Sequence, residues 1–375
     1  MTAAPETRTF RRLLLKWFDQ NARDLPWRRT RDPYAIWVSE IMLQQTRVNA
    51  VTDHYERFME KFPTLPALAN TSEDEVLACW SGLGYYRRAR MLHKAARFVA
   101  QELRGKLPGR AADLRKLPGI GEYTSAAVAS IGFGEAVACV DGNVERVLTR
   151  VRGWTERTAV AAKIRRAAAE VLDEDRPGDF NQAMMELGAM VCLPRGPLCF
   201  QCPVIDLCAT RGEHTVSARK KMRSQKTAYA FLLRIREPES QKASGKKSKK
   251  GQAPQPAELA VLLEQRPAAS SLMPEMWELP EIDAASAEAG RRLLDVRHSI
   301  TVTNYYVTVY GYDAAKEDGL PEPRGTRRWV DARELATLPL TGLARKVLKR
   351  LKTLPGYTGP GPAVTFEEMT PEFWV

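Results

Sequence analysis

The sequence predicts a multidomain protein, all-helical over residues 1–210 and α+β over residues 228–352. Three observations carry that reading. Apolar residues recur at spacings of three and four through the first half, as in Phe10-Leu13-Leu14-Trp17 and Ile36-Ile41-Met42, the period of a helix with one buried face. Runs dense in β-branched and aromatic residues gather after residue 228. The 375 residues exceed one small module but suit two, at about 100–200 residues per domain.

The helices of the first half are separated by short loops at Leu25-Pro26, Phe62-Pro63, Gly105-Lys-Leu-Pro108 and Arg176-Pro-Gly178. One helix is expected over Trp37–Arg47, where Glu40 and Gln44, at i and i+4, share a face. Residues 211–227 read as a linker. Strands are expected over 229–236, 258–264 and 300–310, and an amphipathic helix over 341–352. Between the first two strands, residues 238–256 are polar and Lys-rich, cannot bury a core and read as a mobile loop. The tail, 353–375, is rich in Gly and Pro and reads as irregular.

Hydrophobic residues make up 44% of the chain and charged residues 27%, which excludes a wholly disordered or fibrous protein. No apolar run approaches the roughly 18 residues of a membrane span, and the N-terminus lacks a basic-then-apolar leader. A soluble, cytoplasmic protein is expected, with no membrane partner. The charge is +12 overall but uneven: residues 1–220 carry 33 basic and 26 acidic groups, residues 221–252 carry 10 and 2, and residues 253–375 carry 14 and 17. A basic front half with a basic strap points to a polyanion, most simply nucleic acid.

Four of the six cysteines, Cys192, Cys199, Cys202 and Cys208, form C-x6-C-x2-C-x5-C, with Pro194, Pro197 and Pro203 shaping the loop. Four thiolates in so short a stretch point to a metal or cluster site, either zinc or iron–sulfur.

Leu117-Pro-Gly-Ile-Gly121 lies between two helical stretches. Gly119 and Gly121 allow a tight turn, and its backbone N–H groups at the next helix start form an anion nest suited to a DNA phosphate. Twenty residues on, Val-Asp-Gly-Asn-Val places Asp141 or Asn143 at a helix N-cap. A carboxylate held ionised there can also stabilise an oxocarbenium-like sugar. Glu40 has apolar neighbours, and burial would raise its pKa until it could donate a proton to a leaving group.

Together these elements resemble the helix–hairpin–helix DNA glycosylase superfamily, and within it the adenine-DNA glycosylase (MutY) family. The likeness is strong over residues 8–210 and weaker over 228–350, and Leu25-Pro-Trp-Arg28, Gly82-Leu-Gly-Tyr-Tyr-Arg87 and Asn181-Gln-Ala-Met-Met-Glu-Leu-Gly188 extend it. The resemblance implies an enzyme, acting as a monomer in a bacterial-type nucleoid setting, that removes adenine mispaired with 8-oxoguanine or guanine in double-stranded DNA. It implies that Glu40 protonates the flipped adenine, that Asp141 stabilises the sugar cation, and that Asn143 and Tyr123 orient them. Trp27, Arg28, Leu43, Val48 and Glu186 would line the adenine pocket, and Gln45 and Tyr85 would wedge into the duplex. The four cysteines would hold a 4Fe–4S cluster.

The endonuclease III branch carries a strand-cutting lysine where this chain has Tyr123, so base removal without efficient lyase activity is implied. Leu272-Met-Pro-Glu-Met-Trp-Glu-Leu-Pro280 resembles a Nudix-like domain, without the Glu-rich hydrolase helix, that inspects the opposite base. There the family often has Phe-Ser-His; this chain aligns Ile300, Thr301 and Val302, leaving Thr301 and the nearby His298 as the DNA-facing polar groups.

Overall fold

The computed structural model describes residues 5–155, 160–212, 222–236, 258–300 and 303–353. The chain divides into two compact units: Met1–Thr71 with Arg88–Ala218, and Ser72–Arg87 with Arg219–Val375. Residues 72–87, assigned by sequence to the helical half, therefore pack in the second unit. Its 238–256 stretch and the tail beyond 353 lie outside the described residues, as does 213–221 of the expected 211–227 linker, whose last residues, from Arg223, are instead the start of the first strand.

The first unit comprises α1 (Pro5–Asn21), α2 (Pro33–Leu43), α3 (Val48–Lys61), α4 (Leu65–Ala69) and, past α5 (Glu73–Trp80) of the second unit, α6 (Arg87–Glu102). It continues through α7 (Ala111–Leu114), α8 (Glu122–Phe133), α9 (Gly142–Val151), α10 (Ala161–Val171) and α11 (Pro177–Met190). No strand occurs among its described residues. Asp32 caps α2 by accepting from the Tyr34 N–H, and Pro33 supplies the preset φ of a first helical residue. Nine consecutive residues of α2, Tyr34 to Met42, are then buried, so this helix is surrounded rather than half-exposed. Its neighbour α8 is buried from Thr124 to Ile131. A second core joins α1, α9, α10 and α11 through Phe10, Leu14, Val147, Ile164, Phe180 and Leu187. Here α11 passes so close to α9 that a Cβ on Gly188 would sit 2.5 Å from the Asn143 Cβ.

The helix expected over 37–47 ends early, at Leu43. Gln44 leaves helical geometry with ψ of 115°, and Gln45 enters the left-handed region with φ of 55°. Gln44 is thus not one turn along the face from Glu40. The Arg88 guanidinium takes the carbonyls that a continued helix would have used, those of Ile41, Met42 and Gln44.

The second unit is a mixed sheet in the order β3-β2-β1-β6-β5, with β4 and β7 added on β1 and β2. Its strands are β1 (Arg223–Arg236), β2 (Glu258–Gln265), β3 (Trp277–Glu278), β4 (Glu281–Ile282), β5 (Arg291–Ile300), β6 (Thr303–Tyr312) and β7 (Arg327–Asp331). Strand β1 runs parallel to β6 over Arg223–Leu232 and antiparallel to β2 over Leu233–Arg236. Its side chains alternate. Tyr229, Phe231 and Leu233 join the core formed with α12 (Gly342–Arg350), whereas Ala230 and Leu232 pack with Ile282, Tyr312 and Leu320. Both faces are therefore covered. The strand expected over 300–310 is the end of β5 and most of β6: the two pair antiparallel with Ile300 opposite Thr303. No Gly or Pro stands between Ile300 and Thr303, and the sequence reads as one run.

Within this unit α5 starts with a capping box between Ser72 and Glu75. After α5, Ser81 Oγ and the Tyr86 hydroxyl both donate to the Leu340 carbonyl, at 3.0 and 3.2 Å. Arg345 Nε donates to Ser81 Oγ at 2.6 Å.

Candidate active site

A cavity of about 790 Å³ opens in the first unit between α2, the turn after it, the Gly119–Tyr123 segment, the start of α9 and α11. It gathers Trp27, Arg28, Glu40, Leu43, Gln45, Val48, Gly119, Gly121, Tyr123, Asp141, Asn143 and Glu186, twelve positions the sequence singled out.

Glu40 projects from buried α2 and is itself 5% exposed. The Tyr123 hydroxyl, from the first turn of α8, donates to Glu40 Oε2 at 2.7 Å, with Met185 Sδ 3.1 Å from that hydroxyl. Burial pushes the Glu40 carboxyl up to about 7; the Tyr123 hydrogen bond opposes this, and the negative charge of Asp141 adds to it. A carboxyl in that range exchanges its proton near neutral pH, as a general acid must.

Asp141 is the N-cap of α9. Its Oδ1 accepts from the Asn143 and Val144 N–H groups at 2.9 and 2.8 Å, and its Oδ2 accepts from Asn143 Nδ2 at 2.8 Å. The sequence offered cap or charged site for this residue, and the geometry allows both: the cap donors fix the direction of its side chain. Asn143 Oδ1 in turn accepts from Arg146 Nη2, which also reaches the Gly188 carbonyl at 2.7 Å.

Glu186 is 1% exposed and receives hydrogen bonds from Arg23 and Arg28. Burial alone would raise this carboxyl, but the two guanidiniums hold it down at about 2. Two carboxylates of one cavity are thus driven in opposite directions, Glu40 by burial and Glu186 by cations. Trp27 is held edge-on against Tyr55, with ring centroids 5.3 Å apart.

The Gly119 turn follows α7 and leads into α8. Gly119 has φ of +75°, and an added Cβ would lie 2.5 Å from the Met91 Cβ. Gly121, the N-cap of α8, has φ of −90° and open space around it. Only the first of the pair is required by backbone shape.

The four cysteines, all half-buried, line one enclosed space beside α9. Buried Arg150 donates to the Cys192 Sγ at 3.4 Å and to the Leu193 and Pro194 carbonyls. Among the described residues no three His, Cys, Asp or Glu side chains converge enough to hold one metal ion. Four soft thiol donors around a shared space fit either zinc or an iron–sulfur cluster by their chemistry.

Tyr85, expected beside Gln45, lies in the second unit's 72–87 segment, exposed and with φ of 49°. His298 lines a separate cavity of about 160 Å³ in that unit with Tyr229, Arg266 and Glu278, and burial lowers its pKa. Thr301 and Val302 lie outside the described residues. Sequence reading missed Arg23, Gln182, Met185 and Arg146. Gln182 and Met185 lie in the Asn181–Gly188 segment that extended the resemblance but were given no role there; Arg23 meets Glu186 across 163 positions.

Residues 38–174 match the family model of the HhH-GPD superfamily base excision DNA repair protein. The human adenine DNA glycosylase is 51% identical over 218 residues, covering 55% of this chain and 40% of that protein. The adenine DNA glycosylase of Buchnera aphidicola subsp. Baizongia pistaciae is 36% identical over 234 residues, covering 60% and 67%. Among solved structures, a thermostable thymine-DNA glycosylase aligns with TM-score 0.52 and 31% identity, covering 55% of this chain and 96% of that one. The chain spans well under half the length of the mammalian relatives it matches. Its all-helical half thus has the helix–hairpin–helix glycosylase fold, followed by an α+β region. No described helix is long and apolar enough to cross a membrane.

Proposed function

This chain belongs to the adenine DNA glycosylase family, and from that premise we propose that it hydrolyses the N-glycosidic bond of adenine mispaired with 8-oxoguanine or guanine in duplex DNA. One observation carries the reading: a buried carboxyl poised near neutrality, Glu40, shares a cavity with a backbone-anchored carboxylate, Asp141. A base stacked in a duplex cannot reach that cavity, so the nucleotide is first extruded. Glu40 gives its proton to a ring nitrogen of the adenine, making it a neutral leaving group. Asp141, aimed by Asn143, stabilises the positive charge left on the sugar until water adds. Tyr123 orients Glu40, and Trp27, Arg28, Leu43, Val48 and Glu186 shape the base pocket. Gln45 and Tyr85 occupy the gap in the duplex, and Gly119 and Gly121 hold a phosphate through their backbone N–H groups. No lysine lines the cavity among the described residues, which supports base removal without Schiff-base strand cleavage.

Cys192, Cys199, Cys202 and Cys208 hold a 4Fe–4S cluster in this reading, which ties their loop to α9. The second unit is a Nudix-like domain that inspects the opposite base, with Thr301 and His298 as its polar groups.

The test is single-turnover cleavage of duplexes carrying adenine opposite 8-oxoguanine, guanine or thymine, with and without alkali. Alkali-dependent breaks at adenine opposite the first two, and not the third, are expected. Alkali-independent nicks trapped by borohydride, or no adenine release, would overturn the proposal.

A further inference from the structure

A helix leaves its last four carbonyls without partners, and many helices close with a left-handed glycine. Helix α2 has no glycine there. Its end is closed by a side chain from α6. Arg88 Nη1 donates to the carbonyls of Ile41 at 2.9 Å and Met42 at 3.0 Å, and also to that of Gln44. Arg88 Nη2 reaches Thr46 Oγ1 at 3.1 Å, and Thr46 Oγ1 donates back to the Gln44 carbonyl. On the other side, Gln44 Nε2 donates to Thr124 Oγ1 at 3.1 Å, next to Tyr123. The Gln44-Gln45-Thr46 turn is thus gripped through its backbone by one guanidinium and through a side chain by α8.

What this grip holds is a conformation that does not hold itself. Gln45 has φ of 55°, and a non-glycine residue stays there only where its surroundings over-determine it. It is exposed, at the cavity lined by Glu40. The guanidinium sets Nη1 on the carbonyls and at the same time Nη2 on the Thr46 hydroxyl; a lysine ammonium donates from one nitrogen and cannot reach both.

We propose that Arg88 is a positioning residue for base extrusion: it holds the end of the Glu40 helix so that the Gln44–Thr46 turn presents Gln45 to the gap left by the departing base. The inference rests on the reading that Gln45 enters the duplex. Arg88 acts on opening the duplex, not on breaking the glycosidic bond.

The test uses the full chain and the variants R88M and R88K. Adenine release is timed in single turnover from a duplex with adenine opposite 8-oxoguanine, and from a strand in which the adenine is an unpaired bulge. Because extrusion is the step lost, R88M should slow release from the paired duplex about 30-fold or more, and from the bulge less than about threefold. R88K should resemble R88M, since it cannot make the fork. Equal slowing on both substrates, no slowing on either, or full recovery in R88K would overturn the proposal. With 2-aminopurine in place of the adenine, the wild type at saturation should brighten and R88M should not. That signal needs no chemistry: if the wild type released no adenine, the functional reading would fail while the clamp was still tested. Should R88M not fold, T46V removes one arm of the grip, and the same split between substrates, smaller in size, is expected; its absence counts against the clamp.

Discussion

Burial pushes the Glu40 carboxyl up to about 7 against a hydrogen bond from Tyr123 that pulls it down. The same burial acts on stability. A carboxyl raised from 4.5 to about 7 favours the folded state while protonated, fully below 4.5, and that contribution is lost as the pH rises through about 7. Above that, the ionised group opposes folding by about 3 kcal/mol. Glu40→Gln should therefore slow adenine release by about a thousandfold yet unfold at a higher temperature than wild type at pH 8. A melting temperature that falls at pH 8 would mean that burial does not dominate at this carboxyl. The identities of Glu40, Tyr123, Asp141 and Asn143 were legible in the sequence because each lies in a short, distinctive segment. Arg23 was not legible: its meaning depends on Glu186, which only folding brings near.

Among elements, the turn before α8 separates two glycines that look alike in the sequence. Gly119 needs a left-handed backbone and has the Met91 Cβ against it; Gly121 needs neither special φ nor space. Gly119→Ala should destabilise the protein by about 2 kcal/mol or more, from strain and overpacking. Gly121→Ala should leave the melting temperature nearly unchanged but weaken duplex binding, if the backbone there approaches a phosphate. Equal melting losses in the two would contradict this. Although α2, expected from Trp37, begins at Pro33 behind its Asp32 cap, the helix start at Asp141 was readable from local chemistry. The early end of α2 was not, because its cause is Arg88, more than forty positions away in the chain. The pairing of β5 with β6 was hidden for a different reason: Ile300 and Thr303 stand opposite each other with no Gly or Pro between them.

At the scale of the whole molecule, the excess positive charge lies in residues 1–252, while residues 253–375 are net acidic. Duplex binding should follow it: log affinity should fall linearly with log salt, with a slope of about −4 or steeper if five phosphates are contacted. A slope near zero would remove nucleic-acid backbone contacts from the picture. The two-part organisation was visible from the change of period near residue 210. The packing of residues 72–87 with the second unit was not, since Ser81 and Tyr86 meet the Leu340 carbonyl only through contacts some 250 residues apart in the chain.

The central claim is that a protonated Glu40 drives base departure. The most direct measurement is the pH dependence of single-turnover adenine release for wild type and Tyr123→Phe. For wild type the rate should be level below about 7 and fall tenfold per unit above it. Tyr123 lowers the Glu40 pKa, so the falling limb should move to higher pH in Tyr123→Phe. A wild-type profile flat from pH 6 to 9, or a limb that moves to lower pH in the variant, would contradict the assignment of Glu40 as the acid.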